Sequence, residues 1–249
     1  MSSTTPTVDA HGERVQGMFD RIAHGYDRAN RLMSMGIDVR WRNEAVRGLL
    51  PETMPANPDG SRRAAVLDLC AGTMDSSVEI HRQYPQADIV AGDFAEEMLA
   101  KGAHKLTGAV GERITPQPMD AHDLPFDDDS LDAIFCAFGV RNVSDLPRAT
   151  AEQARTLRPG GRLTILEFFR PTSGLSRLLH TAYNRTVLPV VGWAATGDLD
   201  AYTYLPKSIG KFEAVQDYEA LLGEHGFVNV SHTKLTMGMA WIVRAEVPR

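Results

Sequence analysis

The feature that most constrains the fold is a regular alternation of strand-like and helix-like segments between residues 64 and 170. Short apolar runs, typical of strands buried in a sheet, are separated by segments with helical spacing. The strand candidates are AAVLDLC, ADIVAGD, ITPQPMD, LDAIFCAF and GRLTILEFF, and the helix candidates are SSVEIHRQY, AEEMLAKGAHKL and SDLPRATAEQARTL. This alternation predicts an α/β fold with a doubly wound, mostly parallel sheet.

The segments on either side extend this prediction. After the core, the helix candidate DYEALLGEHG and the strand candidates VNVSHTKLT and MAWIVRAEV bring the sheet to seven strands. Before it, helical spacing predicts N-terminal helices, with Asp38 as a candidate N-cap, and PETMPANPDGSRR is typical of a linker. We therefore predict a disordered tail at 1–13 and a single domain over 14–249. Its regions are N-terminal helices at 14–50, an α/β core at 64–170, a helical insertion near 172–212, and a C-terminal helix and strands at 213–249.

The loop after the first strand, DLCAGTMDSS at 68–77, has the features of a cofactor site. In doubly wound sheets, ligands bind outside the carboxyl ends of the strands, and the small residues Ala71 and Gly72 let the backbone approach a ligand closely. The loop lacks the G-x-G-x-x-G spacing of dinucleotide sites, the Gly-Lys-Ser/Thr of P-loops, and any Lys or Arg to meet phosphates. An adenosyl cofactor without phosphates fits better, and S-adenosylmethionine is the common one.

Three acidic residues end the first three strands in order: Asp68, Asp93 and Asp120. A carboxylate at Asp93, about 25 residues beyond the loop, can accept hydrogen bonds from both ribose hydroxyls. Phe94 beside it is placed to pack on an adenine, and Asp120 is placed to accept from the adenine's exocyclic amine. Together with the LRPGGRL turn before the fifth strand, this order indicates a cofactor site more strongly than the loop alone.

Charge and composition argue against several other classes of protein. The net charge of −6 argues against a nucleic-acid-binding surface. The two cysteines, Cys70 and Cys136, have neither metal-site nor disulfide-framework spacing, so we expect no metal and a reducing compartment. No apolar run approaches the roughly 20 residues needed to span a bilayer, and the N-terminus lacks the apolar core of a signal peptide. These features predict a cytoplasmic protein, which can still lie against a membrane.

Four longer segments carry a more specific signal. They are VQGMFDRIAHGYDRANRLMSMGIDVRWR, DLCAGTMD, LPFDDDSLDAIFCAFGVRNVSDLPRATAEQARTLRPGGRLTILEF and AYTYLPKSI, in that order. They resemble the N-terminal signature, the cofactor loop, the second signature (centred on Phe-Gly-x-Arg-Asn-Val) and the Tyr-x-Tyr-Leu-x-x-Ser-Ile segment of the ubiquinone/menaquinone biosynthesis C-methyltransferase family. The resemblance runs from about Val15 to the C-terminus.

The resemblance implies a Rossmann-like, S-adenosylmethionine-dependent methyltransferase. Its substrate would be a ring carbon of a polyprenyl benzoquinol or naphthoquinol in respiratory quinone biosynthesis. By position, the residues that match the family's cofactor contacts are Thr73, Asp93, Asp120 and Ala121.

Two positions depart from the family's pattern. Ala137 stands where the family has a serine, so that contact loses its hydroxyl. Met74 stands where the family has a glycine, and we expect its side chain to crowd the methionine end of the cofactor.

Three residues are candidates for handling the proton of the substrate hydroxyl. A ring carbon becomes a better nucleophile when the neighbouring hydroxyl loses its proton, so the site must stabilise charge at that oxygen. Arginine stays protonated in proteins, so we expect Arg141 to stabilise the developing phenolate or to hold a water that takes the proton. Asn142 and Tyr26 would orient that water or the substrate hydroxyl. A structural alternative stays open for two of them, with Arg141 as a strand-end cap or ion-pair partner and Tyr26 as a core residue.

The insertion at 172–212 supplies apolar residues for a channel that holds a lipophilic quinol tail, although the same residues also suit packing on the sheet. They are Leu175, Leu178, Leu179, Tyr183, Val187, Leu188, Val190, Val191 and Trp193. Arg170, Arg177 and Arg185 are candidates to face lipid headgroups in a peripheral contact at the inner face of the membrane. A homodimer is also left open by the sequence.

Two other functions stay open at this point. A methyltransferase of a soluble aromatic secondary metabolite would share the fold and the cofactor site. A repurposed, non-catalytic relative with weakened S-adenosylmethionine binding is favoured by Met74 and Ala137. A cofactor titration separates the second alternative from the enzymes. A series of quinols of different tail length separates the first alternative from a quinone-pathway enzyme.

Overall fold

The computed structural model describes residues 15–18, 20–21, 24–50, 63–172 and 208–249, together with positions 174, 177, 178, 181 and 186. The strands are β1 (Ala65–Leu69), β2 (Asp88–Asp93), β3 (Ile114–Pro118), β4 (Leu131–Ala137), β5 (Leu157–Glu167), β6 (Val228–Leu235) and β7 (Ala240–Glu246). The principal helices are α1 (Tyr26–Met33), α2 (Ile37–Val46), α3 (Asp75–Gln83), α4 (Glu96–Gly102), α5 (Leu146–Thr156) and α6 (Val215–Glu224).

The seven strands form one sheet in the order β3-β2-β1-β4-β5-β7-β6. Strands β1 to β5 pair in parallel, and β7 is antiparallel to both of its neighbours. The strand order reverses between β1 and β4, and doubly wound sheets bind ligands at the carboxyl ends of the strands at such a switch point. The predicted fold class is confirmed, and the loop after β1 lies at the switch point.

Alternate residues along the strands enter two cores, one on each face of the sheet. Val66, Phe135 and Leu166 share one core with apolar residues of α2, α3 and α4. Leu67 and Ile134, their neighbours along the chain, share the other core with residues of α5 and α6. All five side chains are at most 1% exposed, so the central strands are buried on both faces, as parallel strands require.

The second N-terminal helix begins differently from the prediction, which gave Asp38 as its N-cap. The N-cap of α2 is Gly36, in a left-handed conformation with φ 76°, and Asp38 lies in the first turn of the helix. The buried Asp38 carboxylate instead accepts hydrogen bonds from Arg31 Nη1 and Ser34 Oγ, both at 2.6 Å. An acidic residue is favourable in a first turn as well as at an N-cap, so the sequence pattern did not separate the two positions.

Strand β5 is longer at its start than the predicted GRLTILEFF. It begins at Leu157, which pairs with Leu131 of β4, so the LRPGG segment belongs to the sheet. The tail at 1–13 lies outside the described residues, and so does most of the insertion at 172–212, so the predictions for both stay predictions. Within the part of the chain that the structure describes, no helix is long and apolar enough to cross a membrane.

Candidate active site

The cofactor loop, residues 70–74, joins β1 to α3 through three residues in left-handed conformation. Cys70, Gly72 and Met74 have φ angles of 58°, 55° and 64°. The loop is also attached to the neighbouring strand, because the Gly72 N–H donates to Asp93 Oδ2 at 2.7 Å. The backbone of the loop is therefore held in place by contacts within the protein.

Asp93 ends β2, and each of its carboxylate oxygens accepts a backbone N–H. Gly72 donates to Oδ2 at 2.7 Å, and Ala95 donates to Oδ1 at 2.8 Å. Burial raises the pKa of the Asp93 carboxyl, while the hydrogen bonds from Ala95 and Gly72 act to lower it. The Phe94 N–H also acts on this carboxylate, and its two oxygens have about four lone pairs between them, so an acceptor site remains for a ribose hydroxyl. The predicted ribose contact stays a prediction, and this geometry is compatible with it.

Asp120 is held by a histidine, His122, that was not among the predicted site residues. Asp120 Oδ1 accepts the backbone N–H of His122 at 2.9 Å and lies 2.6 Å from His122 Nδ1. His122 Nε2 accepts the N–H of Asp145 at 3.1 Å, so the neutral tautomer protonated on Nδ1 satisfies both contacts. A hydrogen bond from an Asp side chain to the backbone N–H two residues later defines an Asx turn. An aspartate in a loop was therefore the signal for this turn that the sequence offered. Among the described residues, none bonds to Asp120 Oδ2, which leaves that oxygen for the predicted adenine amine.

Asp68 lies beneath the loop and does not face the cleft. Its side chain is fully buried, and Ser77 Oγ in α3 donates to its Oδ2 at 2.5 Å. Burial raises the pKa of Asp68 to about 7, against the lowering effect of the Ser77 hydrogen bond. The structure therefore corrects the prediction that Asp68 contacts the cofactor, because a carboxyl with no exposed surface supports the loop by joining β1 to α3.

The raised pKa of Asp68 predicts a specific dependence of stability on pH. The folded protein binds this proton more tightly than the unfolded chain does. Protonated Asp68 therefore stabilises the folded protein fully below pH 3.8, and this stabilisation is lost as pH rises to about 7. The loss is at most about 1.4 kcal/mol per pH unit. Asp68→Asn keeps an acceptor for Ser77 and is expected to remove the trend. Urea unfolding of both proteins at about pH 5 and about pH 7.5 measures it, and parallel trends would contradict the assignment.

Met74 does not line the cofactor cleft either. Its side chain is fully buried in the core that α2, α3 and α4 cover. Its methyl carbon lies 2.9 Å from the position that a Cβ on Gly102, at the end of α4, would take. The side chain therefore fills the space between the loop and α4, where an apolar group gains the free energy of burial. The prediction that Met74 crowds the methionine end of the cofactor is wrong.

Met74→Ala and Met74→Gly form a matched pair of variants. Both remove a buried side chain, and the alanine variant is expected to lose about 2–3 kcal/mol of unfolding free energy. Glycine adopts the left-handed φ of 64° without strain, whereas alanine, like the parental methionine, is strained there, so the glycine variant should be about 1 kcal/mol the more stable of the two. Chemical denaturation measures this order. Cofactor affinity is expected to stay at the parental value, and tighter binding in Met74→Gly would revive the crowding hypothesis.

Arg141 follows β4 and forms a buried ion pair with Glu167, the last residue of β5. Its Nη1 donates to Glu167 Oε1 at 2.6 Å and to the Phe138 carbonyl at 2.8 Å, and the two charged side chains are 6% and 0% exposed. Burial raises the pKa of the Glu167 carboxyl, and Arg141 acts to lower it. The ion pair agrees with the structural alternative for Arg141, and it also places the guanidinium at the carboxyl ends of β4 and β5. Glu167 was not predicted as a site residue, because one glutamate in the apolar run TILEFF carries no periodic signal.

Three aromatic rings lie beside Arg141. Phe138 stacks on Phe168 with the ring centroids 4.7 Å apart, and Trp41 of α2 meets Phe168 edge-on at 6.0 Å. The Arg141 guanidinium carbon lies 5.8 Å from the centroid of Phe168. The Arg42 guanidinium carbon lies 5.3 Å from the centroid of Phe138, so a second cation borders the stacked pair. The rim of an aromatic cluster that is bordered by cations suits a planar aromatic ligand. In the sequence, Phe138 and Phe168 lie at the ends of two predicted strands, and no pattern predicted that the two rings would meet.

Tyr26 and Thr73 bring the N-terminal helix α1 to the cofactor loop. Tyr26 begins α1 and packs against Ala95 and Met98, just beyond β2. Burial raises the pKa of its phenol, so at neutral pH Tyr26 is a hydrogen-bond donor rather than a base. The Thr73 hydroxyl donates to the carboxylate of Asp27, which follows Tyr26 in α1. The predicted cofactor contact of Thr73 therefore relies on the lone pairs of its oxygen or on its backbone.

The other predicted residues border the same end of the sheet. Asn142 ends the 3₁₀ turn that carries Arg141. Phe94 is half-buried, and its carbonyl accepts from Gln16 Nε2 at 3.3 Å. Ala121 and Ala137 are each 9% exposed, just after β3 and at the end of β4. The predicted site residues other than Asp68 thus lie just beyond the carboxyl ends of β1 to β4, or on α1 beside them, and their ligand contacts stay predictions.

Comparison with known sequences identifies the family. The sequence model of the ubiE/COQ5 methyltransferase family matches residues 7–246. A ubiquinone/menaquinone biosynthesis C-methyltransferase UbiE of Geobacter sulfurreducens is 39% identical over 237 residues, which cover 94% of this chain and 89% of that protein. A demethylmenaquinone methyltransferase of Thermus thermophilus is 40% identical over 231 residues, which cover 93% of this chain and 100% of that protein.

Solved structures agree with the fold. The methyltransferase bound to the Haloferax volcanii Trm112 activator superposes with a TM-score of 0.65 at 16% identity, covering 93% of this chain and 98% of that one. A Haemonchus contortus phosphoethanolamine N-methyltransferase bound to S-adenosylhomocysteine gives a TM-score of 0.62 at 15% identity. The match covers 98% of this chain and 61% of that one. Likeness at such identity shows the fold alone, and the family rests on the sequence matches. On those matches, the chain belongs to the ubiE/COQ5 methyltransferase family and is a C-methyltransferase, as the resemblance predicted.

Proposed function

We propose that the chain transfers the methyl group of S-adenosylmethionine to a ring carbon of a polyprenyl quinol, either a demethylmenaquinol or a ubiquinol precursor. The observation that carries the proposal is the stacked pair Phe138 and Phe168 with the Arg141 guanidinium beside it, at the same sheet end as the cofactor loop. The names of the relatives, which refer to ubiquinone, menaquinone and demethylmenaquinone, support this substrate class.

The residues at the switch point suit an adenosyl cofactor. The Asp93 carboxylate keeps an acceptor site for the ribose, and Asp120 Oδ2 can accept from the adenine amine. The loop at 70–74 contains no cation, which agrees with a ligand that has no phosphate. When bound, S-adenosylmethionine would supply an electrophilic methyl group on a sulfonium.

The protein's own part is to orient the substrate ring and to stabilise charge on its hydroxyl oxygen. Phe138 and Phe168 cover one face of each other, and the Arg42 guanidinium carbon lies 5.3 Å from the Phe138 centroid. A quinol ring would therefore pack at the rim of this cluster, with a hydroxyl near Arg141. As the hydroxyl proton leaves to water, the protonated guanidinium stabilises the negative charge that develops on the oxygen. After the ring carbon has gained the methyl group, it loses its own proton to water, which restores the aromatic ring, and the oxygen regains a proton. Glu167 holds that guanidinium through the ion pair, and Tyr26 acts as a donor that orients the hydroxyl or the water.

The test is a methylation assay with the purified full chain and S-adenosylmethionine that carries an isotopically labelled methyl group. The acceptors are a short-tailed demethylmenaquinol, a ubiquinol precursor and a dihydroxynaphthalene that lacks a tail. Labelled methyl on the ring carbon of a tailed quinol, detected by mass spectrometry, supports the proposal. Transfer to the tailless compound alone favours a soluble-metabolite enzyme. Cofactor binding with no transfer to any acceptor favours a repurposed relative. Either of these last two results overturns the proposal.

A lipophilic substrate would require contact with a membrane, and exposed apolar side chains support such a contact at the active-site end. Met35, between α1 and α2, is 75% exposed, and Met237, between β6 and β7, is 59% exposed. Trp41 Nε1 donates to Thr236 Oγ1 at 3.0 Å, which joins α2, the helix that follows Met35, to the turn that carries Met237. Because β7 starts beside the end of β5, the turn that carries Met237 lies at the carboxyl end of the parallel strands.

Co-sedimentation with lipid vesicles tests this contact. Replacing both Met35 and Met237 by serine is expected to weaken vesicle binding at least about tenfold, because each methionine contributes roughly 1.5–3 kcal/mol when it leaves water. Val228→Ser is the matched control, since Val228 is 41% exposed but begins β6 at the opposite end of the sheet. Equal vesicle binding by the parent and the double variant would place the membrane contact elsewhere.

A further inference from the structure

Lys105 joins three elements that meet beside the cofactor loop. It ends the 3₁₀ turn Ala103–Lys105, directly after α4. Its ammonium donates to Asp27 Oδ2 of α1 at 2.6 Å, to the Thr73 carbonyl of the loop at 2.8 Å and to Asp75 Oδ1 of α3 at 2.6 Å. An ammonium has three N–H donors, so all of them are used. The side chain is 16% exposed, and its contacts are therefore largely shielded from solvent.

The same carboxylates extend these contacts into what we call the Lys105 network: Asp27, Arg31, Asp75 and Lys105. The second oxygen of Asp27 accepts the Thr73 hydroxyl, and the second oxygen of Asp75 accepts from Arg31 Nη2 at 3.0 Å. Burial raises the pKa of the Asp75 carboxyl, but the hydrogen bond and the charge of Lys105 keep that pKa below its usual value. Helix α1 is thus tied at Asp27 and Arg31, one turn apart, to the loop and to the first residue of α3.

The position of α1 matters because the helix carries Tyr26 next to Asp27. Tyr26 packs on Ala95 and Met98, directly beyond the carboxylate proposed to hold the ribose. We propose that Lys105 is a positioning residue of the methyltransferase. By holding Asp27 it keeps α1 across the cofactor loop, and opening of this contact limits the exchange of S-adenosylmethionine and S-adenosylhomocysteine. This inference rests on the proposed use of S-adenosylmethionine.

Replacing Lys105 by methionine removes the cation that lies between the Asp27 and Asp75 carboxylates. The two like charges then repel, so α1 is expected to separate from the loop. Neither core of the sheet includes these side chains, so the strands are expected to stay folded. The expected effect is local, and this distinguishes a positioning role from a general loss of stability.

The test compares Lys105→Met with Lys101→Met in the full chain. Lys101, one turn earlier, donates to Nε2 of the exposed His24 at 3.0 Å, so Lys101→Met removes a lysine from the same region and leaves the Lys105 network in place. With S-adenosylhomocysteine as the probe, Lys105→Met should release it at least about tenfold faster in stopped-flow fluorescence, since a charged hydrogen bond is worth a factor of about ten or more. Amide hydrogen exchange should rise in α1 and stay unchanged in β4. Lys101→Met should match the parent in both measurements.

The proposal is overturned if Lys105→Met releases S-adenosylhomocysteine at the parental rate and amide hydrogen exchange in its α1 stays at the parental rate. Exchange that rises equally in α1 and β4 also overturns it, because that pattern indicates general destabilisation. If Lys105→Met does not fold, Asp27→Asn decides by the same two measurements, since it keeps the shape of the side chain and weakens the same contact. Neither measurement needs a quinol, so failure of quinol methylation and failure of the Lys105 proposal are separate results.

Discussion

The Arg141→Met variant is expected to lose about 3–5 kcal/mol of unfolding free energy, because it leaves the fully buried Glu167 carboxylate without its counter-ion. Burial already raises the pKa of Glu167 above its usual 4.5, and loss of Arg141 raises it further. The folded variant then binds this proton more tightly than the unfolded chain does, so its stability falls as pH rises above 4.5. Denaturation at about pH 5 and about pH 8 measures both effects.

The double variant Arg141→Met/Glu167→Gln separates stability from chemistry. Glutamine keeps an oxygen that accepts the Phe168 N–H, a bond of 2.7 Å in the parent, and it removes the buried charge. Most of the lost stability should therefore return. Turnover should stay roughly 100–1,000-fold below the parental value, because the phenolate has lost its cation. A double variant that regains both stability and turnover would show that Arg141 serves only as an ion-pair partner.

The fold was predictable because the central parallel strands β1 and β4 are buried on both faces. Short apolar runs bounded by polar turns mark such strands without any knowledge of their partners. The start of β5 was harder to predict, since the glycines and proline of LRPGG are typical of a turn, yet Leu157 pairs with Leu131. Pairing with a distant strand decided that boundary, and local sequence does not record it.

The candidate site was predictable to the extent that topology alone places it. The carboxyl ends of β1, β2 and β3 meet at one edge, so the order of strands and helices along the chain is enough to group the acidic strand ends. The direction of each side chain could not be predicted this way. Asp68 and Met74 point into the protein, and Glu167 and Lys105 find their partners only across elements far apart in the chain. Such contacts depend on packing, which has no periodicity in the sequence.

Asp93→Ala is expected to weaken S-adenosylmethionine binding by roughly 10- to 150-fold, which corresponds to the 1.5–3 kcal/mol of hydrogen bonds to a charged group. The variant also removes the acceptor of the Gly72 N–H, a bond of 2.7 Å that attaches the loop to β2. Weaker binding alone would therefore not show that Asp93 touches the ribose. A disturbed loop predicts equal losses for every adenosyl ligand, whereas a lost ribose contact predicts losses that depend on the ribose hydroxyls.

A cofactor analogue that lacks the 2′-hydroxyl resolves this ambiguity. If Asp93 accepts from that hydroxyl, the parent should bind 2′-deoxy-S-adenosylhomocysteine about tenfold or more weakly than S-adenosylhomocysteine, and Asp93→Ala should bind the two alike. Asp120→Ala is the control, since its Oδ1 is held by His122 and its predicted partner is the adenine. That variant should weaken both ligands and preserve the discrimination between them. Calorimetric titration of the three proteins completes the comparison. If Asp93→Ala discriminated as strongly as the parent, Asp93 would hold only the loop, and the ribose would need another partner.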